Sequence, residues 1–222
     1  MTERPKQCWG ILQWGIVIGI VSLLGLWAVP TYIDISRKGN ETWGVNYCMQ
    51  VNLAMKQFSK DNGGLYPDGG PSAAGLTSSN QVFRRLFQTG VMTEETVFGC
   101  PGSQFIPDRN IGAAPDFRQA LEPGECHWIL LKHQDESSPG NAPVIVENAL
   151  DTNWPPRWDV SDQAGNRKGR AREGRQIIVA FNDGSAQVVK LQDDGSLNGD
   201  FWNRIFTPEQ AAKLSYWDIE EK

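Results

Sequence analysis

A single apolar run near the start of the chain limits its possible folds more than any other feature. The run covers residues 9–29, and over these 21 residues it contains no charged side chain. About 20 apolar residues let a helix cross the hydrocarbon core of a bilayer. Arg4 and Lys6 precede the run, and basic residues favour the cytoplasmic side of a membrane. The sequence therefore predicts a cytoplasmic N-terminus at 1–8, a transmembrane helix at 9–30 and an extracytoplasmic domain at 31–222.

A cleaved secretory signal is the alternative to this retained anchor. The apolar run is longer than the core of an ordinary signal peptide, and residues 26–30 lack a clean pair of small residues for cleavage. We therefore expect a retained, single-pass anchor. Under either interpretation the chain after Pro30 leaves the cytoplasm.

The composition of the chain bounds what the exported domain can be. The 23 glycines and 13 prolines indicate many turns and long connections rather than a helical bundle. The formal net charge of −5 gives no indication of a nucleic-acid partner.

Residues 43–60 have the pattern of an amphipathic helix. Cys48, Val51, Met55 and Phe58 recur at spacings of three and four, so they form one buried stripe. Polar residues, Asn52 among them, are expected on the other faces. An Asp-Asn-Gly-Gly sequence then ends the helix, because glycine accepts the left-handed backbone of a helix end.

Strand signals dominate the second half of the chain. The clearest is a hairpin in which an Asn-Asp-Gly turn joins two runs rich in β-branched residues. Together these patterns predict an α+β fold, with a transmembrane helix that continues into an amphipathic helix packed on an antiparallel β-sheet. The other predicted elements are a helix at 81–89 capped by Asn80 and ended by Gly90, strands at 128–131, 144–146, 177–181 and 186–191, and a short helix capped by Thr207.

Three short segments have the residues of one bacterial family, in that family's order. Residues 48–67 hold a Cys, an Asn-Leu pair, an Asp-Asn-Gly turn and a Tyr-Pro pair; residues 98–101 end in a Cys-Pro turn, and residues 181–185 hold an Asp-Gly hairpin. They resemble the type IV pilins and type II secretion pseudopilins, specifically the pseudopilin-like group with an H-x9-DG domain. The resemblance implies a non-enzymatic structural subunit of the bacterial inner membrane, whose partners are other pilin-like subunits or secretion-system proteins.

Two positions depart from the pattern of that family. Glu173 stands where the family's His precedes Asp183. Gly10 is the residue after which a prepilin peptidase would cleave, but Gly15 stands where pilins carry a glutamate. Processing at Gly10 and filament assembly are therefore both open.

An acidic turn near the C-terminus is the candidate metal site. Carboxylate and amide oxygens are the ligands that Ca²⁺ prefers. Major pseudopilins carry a calcium site near the C-terminus, although a solvated hairpin turn explains the same residues. No other cofactor is expected. The four candidate ligands are Asp193, Asp194, Asn198 and Asp200.

The chain has four cysteines and two histidines, the residue types that most often supply nucleophiles and metal ligands. Cys8 lies at the cytoplasmic edge, and Cys48, Cys100 and Cys126 belong to the exported part, where disulfides form. Cys100–Cys126 is the preferred pair, and small buried thiols are the alternative. Neither His127 nor His133 lies in a recognisable catalytic motif, so no enzymatic activity is expected.

Two further segments suggest an alternative function. Residues 167–175 form a basic, glycine-spaced loop, which we expect to be solvated. Residues 154–158 place two tryptophans around two prolines, either as a binding surface or as peripheral core. The alternative to a pilin-like subunit is a membrane-tethered module that never polymerises and binds a glycan or Ca²⁺.

Overall fold

The computed structural model describes residues 7–161, 166–198 and 205–222. The chain divides into two compact units, with the boundary between Asn40 and Glu41. One helix, α1 (Gln7–Asp61), contains all the described residues of the first unit and the first 21 residues of the second. The expectation that helical structure continues past Pro30 is confirmed, and the Thr31 hydroxyl bonds the Trp27 carbonyl at 2.9 Å.

The first part of α1 exposes its apolar side chains. Leu26 and Trp27 are 76% and 73% exposed, and their neighbours are similarly open. Within the described residues, this helix has the length and composition of a membrane span, criteria that a signal sequence also meets. The sequence prediction of a long apolar N-terminal helix is therefore confirmed.

The second unit is built on a five-stranded antiparallel sheet. Its strands lie in the order β4-β3-β2-β1-β5. The four predicted strands are confirmed, and the short edge strand β5 was not predicted. The strands are β1 (Trp128–Leu131), β2 (Pro143–Glu147), β3 (Gln176–Phe181), β4 (Ala186–Lys190) and β5 (Tyr216–Trp217).

The last turns of α1 supply the predicted apolar stripe to the core. Its four members, Cys48, Val51, Met55 and Phe58, are each no more than 1% exposed. The expectation that Asn52 lies on another face is wrong. Asn52 is fully buried, and its amide donates to the Phe181 carbonyl at 2.7 Å, which satisfies a backbone acceptor at the end of β3.

Two short helices flank the sheet. In α2 (Ser79–Gln88) the N-cap is Ser78, whose hydroxyl accepts from the Gln81 N–H, so the prediction of Asn80 as the cap is wrong. Asn80 is buried instead, and its amide bridges the Leu121 carbonyl and the Glu220 N–H. The predicted short helix capped by Thr207 is confirmed as α3 (Pro208–Ala211), in which Thr207 and Gln210 form a capping box.

Candidate functional site

The first and third of the family-like segments meet in the fold, and Cys100 of the second lies beside the helix in which the first begins. The Tyr66 hydroxyl donates to Asn182 Oδ1 at 2.5 Å, which joins the Tyr-Pro segment to the hairpin turn. The Asn182 amide also donates to the Ser138 carbonyl at 2.7 Å. Near the start of the first segment, a Cβ built on Gly44 would lie 2.8 Å from Cys100 Sγ. These residues therefore hold the helix, the loops and the hairpin of one domain together.

The hairpin turn has the local geometry of a structural element. Gly184 has φ +98°, a conformation that side-chain-bearing residues rarely adopt. Asp183 Oδ1 accepts from the N–H and the hydroxyl of Ser185, at 2.8 and 2.7 Å. Those bonds lower the pKa of Asp183. Glu173 is exposed.

A buried polar cluster lies where the basic loop approaches the sheet. We use this name for Cys100, His127, Glu147 and Arg172. Glu147 is 2% exposed, and its Oε1 accepts from Arg172 Nε at 2.5 Å. Arg172 Nη2 donates to Cys100 Sγ at 2.6 Å, so one guanidinium bridges the carboxylate and the sulfur.

His127 completes the buried polar cluster. Its Nε2 lies 3.5 Å from Glu147 Oε1 and has no hydrogen-bond partner. Its Nδ1 lies 2.8 Å from the Ser103 hydroxyl and 3.0 Å from the Asn148 amide. The ring is thus fixed in orientation by two polar neighbours on one edge.

The electrostatics of the buried polar cluster favour an ion pair beside a neutral thiol. Burial acts to raise the pKa of Glu147, but Arg172 and His127 together outweigh it and the net shift is downward. Burial and the Glu147 charge raise the pKa of Cys100 to about 12. Burial opposes the charged form of Arg172, yet Glu147 and Cys100 together raise its pKa overall.

This arrangement is poorly suited to two kinds of chemistry. A nucleophilic cysteine needs a lowered pKa, and the Cys100 thiol has a raised one. Single ligand atoms of Cys100, His127 and Glu147 lie within 4.8 Å of one another, which is compatible with a metal ion. The Arg172 guanidinium, however, already contacts two of the three groups, so a metal would have to displace it. The contacts of Arg172 join the loop before β3 to Glu147 at the end of β2 and to Cys100.

The expectation that the basic loop is solvated is wrong for Arg172, whose side chain is only 19% exposed, whereas Arg167 and Arg175 are exposed. Arg167, Lys168 and Arg175 form ion pairs with Asp159, Asp218 and Asp193. A charged residue that ends an apolar strand, as Glu147 does, needs a partner. The sequence therefore indicates that Glu147 has a basic partner, but it does not identify that partner as Arg172.

The predicted calcium ligands are only partly within the described residues. Asp193 pairs with Arg175, and Asp194 Oδ1 accepts from the N–H and hydroxyl of Ser196 at 3.0 and 2.6 Å. Asp200 lies outside the described residues. The Ca²⁺ site at Asp193, Asp194, Asn198 and Asp200 stays a prediction.

The predicted Cys100–Cys126 disulfide is not formed. Cys48, Cys100 and Cys126 are free, buried thiols. Each sulfur of the predicted pair has its own polar contact, because Cys100 accepts from Arg172 while Cys126 donates to the Trp128 carbonyl at 3.3 Å. The alternative of small buried thiols is confirmed.

Gly10 and the two tryptophans of residues 154–158 are the remaining candidates from the sequence. Gly10 lies in the backbone of α1, and cleavage after it stays a prediction. Trp158 is 1% exposed and donates to the Glu147 carbonyl, while Trp154 stacks on Tyr216. The tryptophan pair is therefore peripheral core.

Comparison with protein-family models, with curated proteins and with solved structures gave no match to this chain.

Proposed function

We propose that this protein is a pilin-like structural subunit, held in the bacterial inner membrane by the first part of α1 and associated with type II secretion or a related filament. The observation that carries the proposal is the division of one helix into two parts. Its N-terminal part exposes apolar side chains, and Cys48, Val51, Met55 and Phe58 form a buried stripe in an antiparallel sheet domain. Pilins and pseudopilins, which the sequence resembles, use one helix in these two ways.

The exposed part of α1 offers a surface for a second helix. Gly15 and Gly19 are four residues apart, and a Cβ added to either would meet nothing within 4 Å. Small residues at this spacing let helix backbones approach closely in a bilayer. Apolar side chains between them, such as Val17 and Ile18, supply the packing area.

The buried polar cluster supports a structural rather than an enzymatic role. Its thiol is protonated and its carboxylate is neutralised by Arg172. The cluster ties the loop before β3 to the end of β2, which is what a subunit under mechanical load in an assembly requires.

In-membrane crosslinking of the full-length protein tests the proposal. A photo-crosslinking residue at Val17 should give dimers and higher species, and a Gly15→Ile/Gly19→Ile variant should lose them. Gly39→Ile is the matched control, since Gly39 is also helical and open but lies outside the predicted span. Monomers alone with the wild-type glycines would contradict assembly through this helix and would favour the tethered binding module.

A further inference from the structure

Three carboxylates that are not neighbours in sequence converge at the long loop that precedes β1. We call Glu95, Asp108 and Glu125 the carboxylate triad. One oxygen from each lies within 4.8 Å of one oxygen from each of the others. Glu95 immediately precedes a 3₁₀ turn at Thr96–Phe98, and Asp108 and Glu125 lie within or at the end of the loop over residues 104–125.

Two members of the triad are buried and the third reaches solvent. Glu95 is 0% exposed and Glu125 is 2% exposed, whereas Asp108 is exposed. Buried carboxylates are costly unless hydrogen bonds or a cation compensate their charge. Asp108 is therefore the member of the triad that contacts solvent.

Hydrogen bonds within the fold compensate only part of the charge of the two buried carboxylates. Glu95 Oε2 accepts from the Leu121 N–H at 3.2 Å, but Glu95 Oε1 is buried without a hydrogen-bond partner. Glu125 Oε2 accepts from the Glu122 N–H at 2.8 Å. Glu95 therefore brings into the triad a fully buried carboxylate with one unpartnered oxygen, which marks a position for a ligand.

No basic side chain in the described part of the chain forms an ion pair with the triad. By contrast, Glu147, the buried carboxylate of the polar cluster, forms an ion pair with Arg172. Burial raises the pKa of Glu95, and the Asp108 carboxylate adds to the effect. Burial and the carboxylates around it likewise raise the pKa of Glu125. The negative charges of the triad are thus compensated by no neighbouring side chain that the structure describes.

We propose that Glu95, Asp108 and Glu125 bind a divalent cation of the oxygen-preferring class, with Ca²⁺ as the favoured ion. Three carboxylates supply up to six oxygens, and Ca²⁺ takes six to eight at about 2.3–2.6 Å in flexible geometry. Zn²⁺ is disfavoured because the triad has no nitrogen or sulfur ligand. Mg²⁺ is disfavoured because it demands near-octahedral geometry and retains its waters. The ion would join Glu95 to the loop at residues 104–125.

The site is distinct from the acidic turn predicted at the C-terminus, and it does not depend on the proposed assembly. A subunit that orders a loop with Ca²⁺ can be polymeric or monomeric. The two possible calcium sites share no residue, so substitutions separate them.

Calcium titration of the full-length protein in detergent, after treatment with EDTA, tests the proposal. Isothermal titration calorimetry and thermal unfolding are measured with CaCl₂, and MgCl₂ and ZnCl₂ serve as comparison ions. The variants are Glu125→Gln and Asp108→Asn. Asp108 is exposed and Asn keeps the oxygen that accepts from the Asn110 N–H, so this variant is expected to fold. The controls are Glu122→Gln, which is exposed in the same loop, and Asp194→Asn in the acidic turn.

We expect one Ca²⁺ per chain and a Ca²⁺-dependent rise in Tm, with affinity lowered at least about tenfold in Glu125→Gln and Asp108→Asn. Both controls should bind as the wild type does. In EDTA, Glu125→Gln should melt no lower than the wild type, because a buried charge has been removed; a carboxylate with a purely structural role would give a lower Tm. Absence of Ca²⁺ binding by the wild type would overturn the proposal, and so would unchanged binding in Asp108→Asn. Loss of binding in Asp194→Asn alone would assign the ion to the acidic turn and overturn it as well.

Discussion

The Arg172 guanidinium donates from Nε to the Glu147 carboxylate at 2.5 Å and from Nη2 to the Cys100 sulfur at 2.6 Å. Glu147 ends β2 and Arg172 lies just before β3, so a single side chain fixes the loop against the sheet. Because Glu147 is 2% exposed, this ion pair differs in kind from the surface pairs of the same loop.

Replacing Arg172 with Met should lower the free energy of unfolding by about 3–5 kcal/mol, because it leaves the Glu147 charge buried without a partner. The Arg172→Met/Glu147→Gln double variant should recover part of that loss. Arg175→Met is the matched control: its partner Asp193 is exposed, so we expect a change within about 0.5 kcal/mol. Urea unfolding measures all three, and equal effects at positions 172 and 175 would contradict the buried pair.

The same pair predicts how stability depends on pH. The folded state holds the pKa of Glu147 below its ordinary 4.5: burial acts to raise it, but Arg172 and His127 together outweigh burial. The folded protein therefore binds fewer protons than the unfolded chain in this range, and stability falls as the pH drops. The contribution of Glu147 is present above about pH 4.5 and is lost as the pH falls through the lower folded pKa.

A comparison with Glu147→Gln isolates this contribution. The difference in Tm between the wild type and the variant should be constant above about pH 5 and shrink below pH 4.5. A difference that stays constant through the acid range would show that Glu147 does not titrate as the geometry predicts.

The thiols of Cys48, Cys100 and Cys126 should resist thiol reagents in the native state. Burial raises the pKa of Cys100 and Cys126 to about 12 and that of Cys48 well above its usual value, and the thiolate is the reactive form. In a Cys8→Ser variant, mass spectrometry should find no maleimide adduct before unfolding and three afterwards. Two unreactive cysteines in the unfolded, unreduced chain would reveal a disulfide and contradict the free thiols.

Gly44 should be intolerant of alanine although it lies in a helix. A Cβ there would lie 2.5 Å from Ile178 Cδ1, 2.8 Å from Cys100 Sγ and 3.0 Å from Arg172 Nη2. Cys100 and Arg172 are bonded to each other, so neither can move freely. Gly→Ala normally stabilises a helix by about 1 kcal/mol; at Gly44 we expect destabilisation of about 1–3 kcal/mol.

Gly39→Ala is the matched control for that variant, since an added Cβ there meets nothing within 4 Å. Thermal unfolding should give a Tm for Gly39→Ala equal to or above that of the wild type, and a lower Tm for Gly44→Ala. A rise in Tm for Gly44→Ala would show that α1 does not approach the buried polar cluster as closely as described.

Local patterns predicted most of the fold because they depend on neighbours in the chain. The apolar run, the stripe from Cys48 to Phe58 and the Asn-Asp-Gly hairpin each follow from periodicity or turn chemistry. Strand β5 was missed because two residues, Tyr216 and Trp217, are too few to show a period.

Contacts between distant residues could not be predicted in the same way. Arg172 and Glu147 are 25 residues apart, and nothing in their spacing selects one arginine of the basic loop over another. The sequence pattern predicts that Asn52 lies on a polar face of the helix. Its side chain is buried instead, and its amide donates to the Phe181 carbonyl at the end of β3. The carboxylate triad joins segments that are adjacent only in the folded chain.

The intact mass of the native protein from bacterial membranes tests the central claim most directly. The account of a pilin-like subunit predicts a membrane-bound chain that retains the apolar run and begins at Ile11, after cleavage at Gly10. A membrane-bound chain that begins at Met1 would favour the tethered binding module instead. A chain that begins after Pro30 would show that the apolar run is a removed signal, and it would contradict the membrane-anchored subunit.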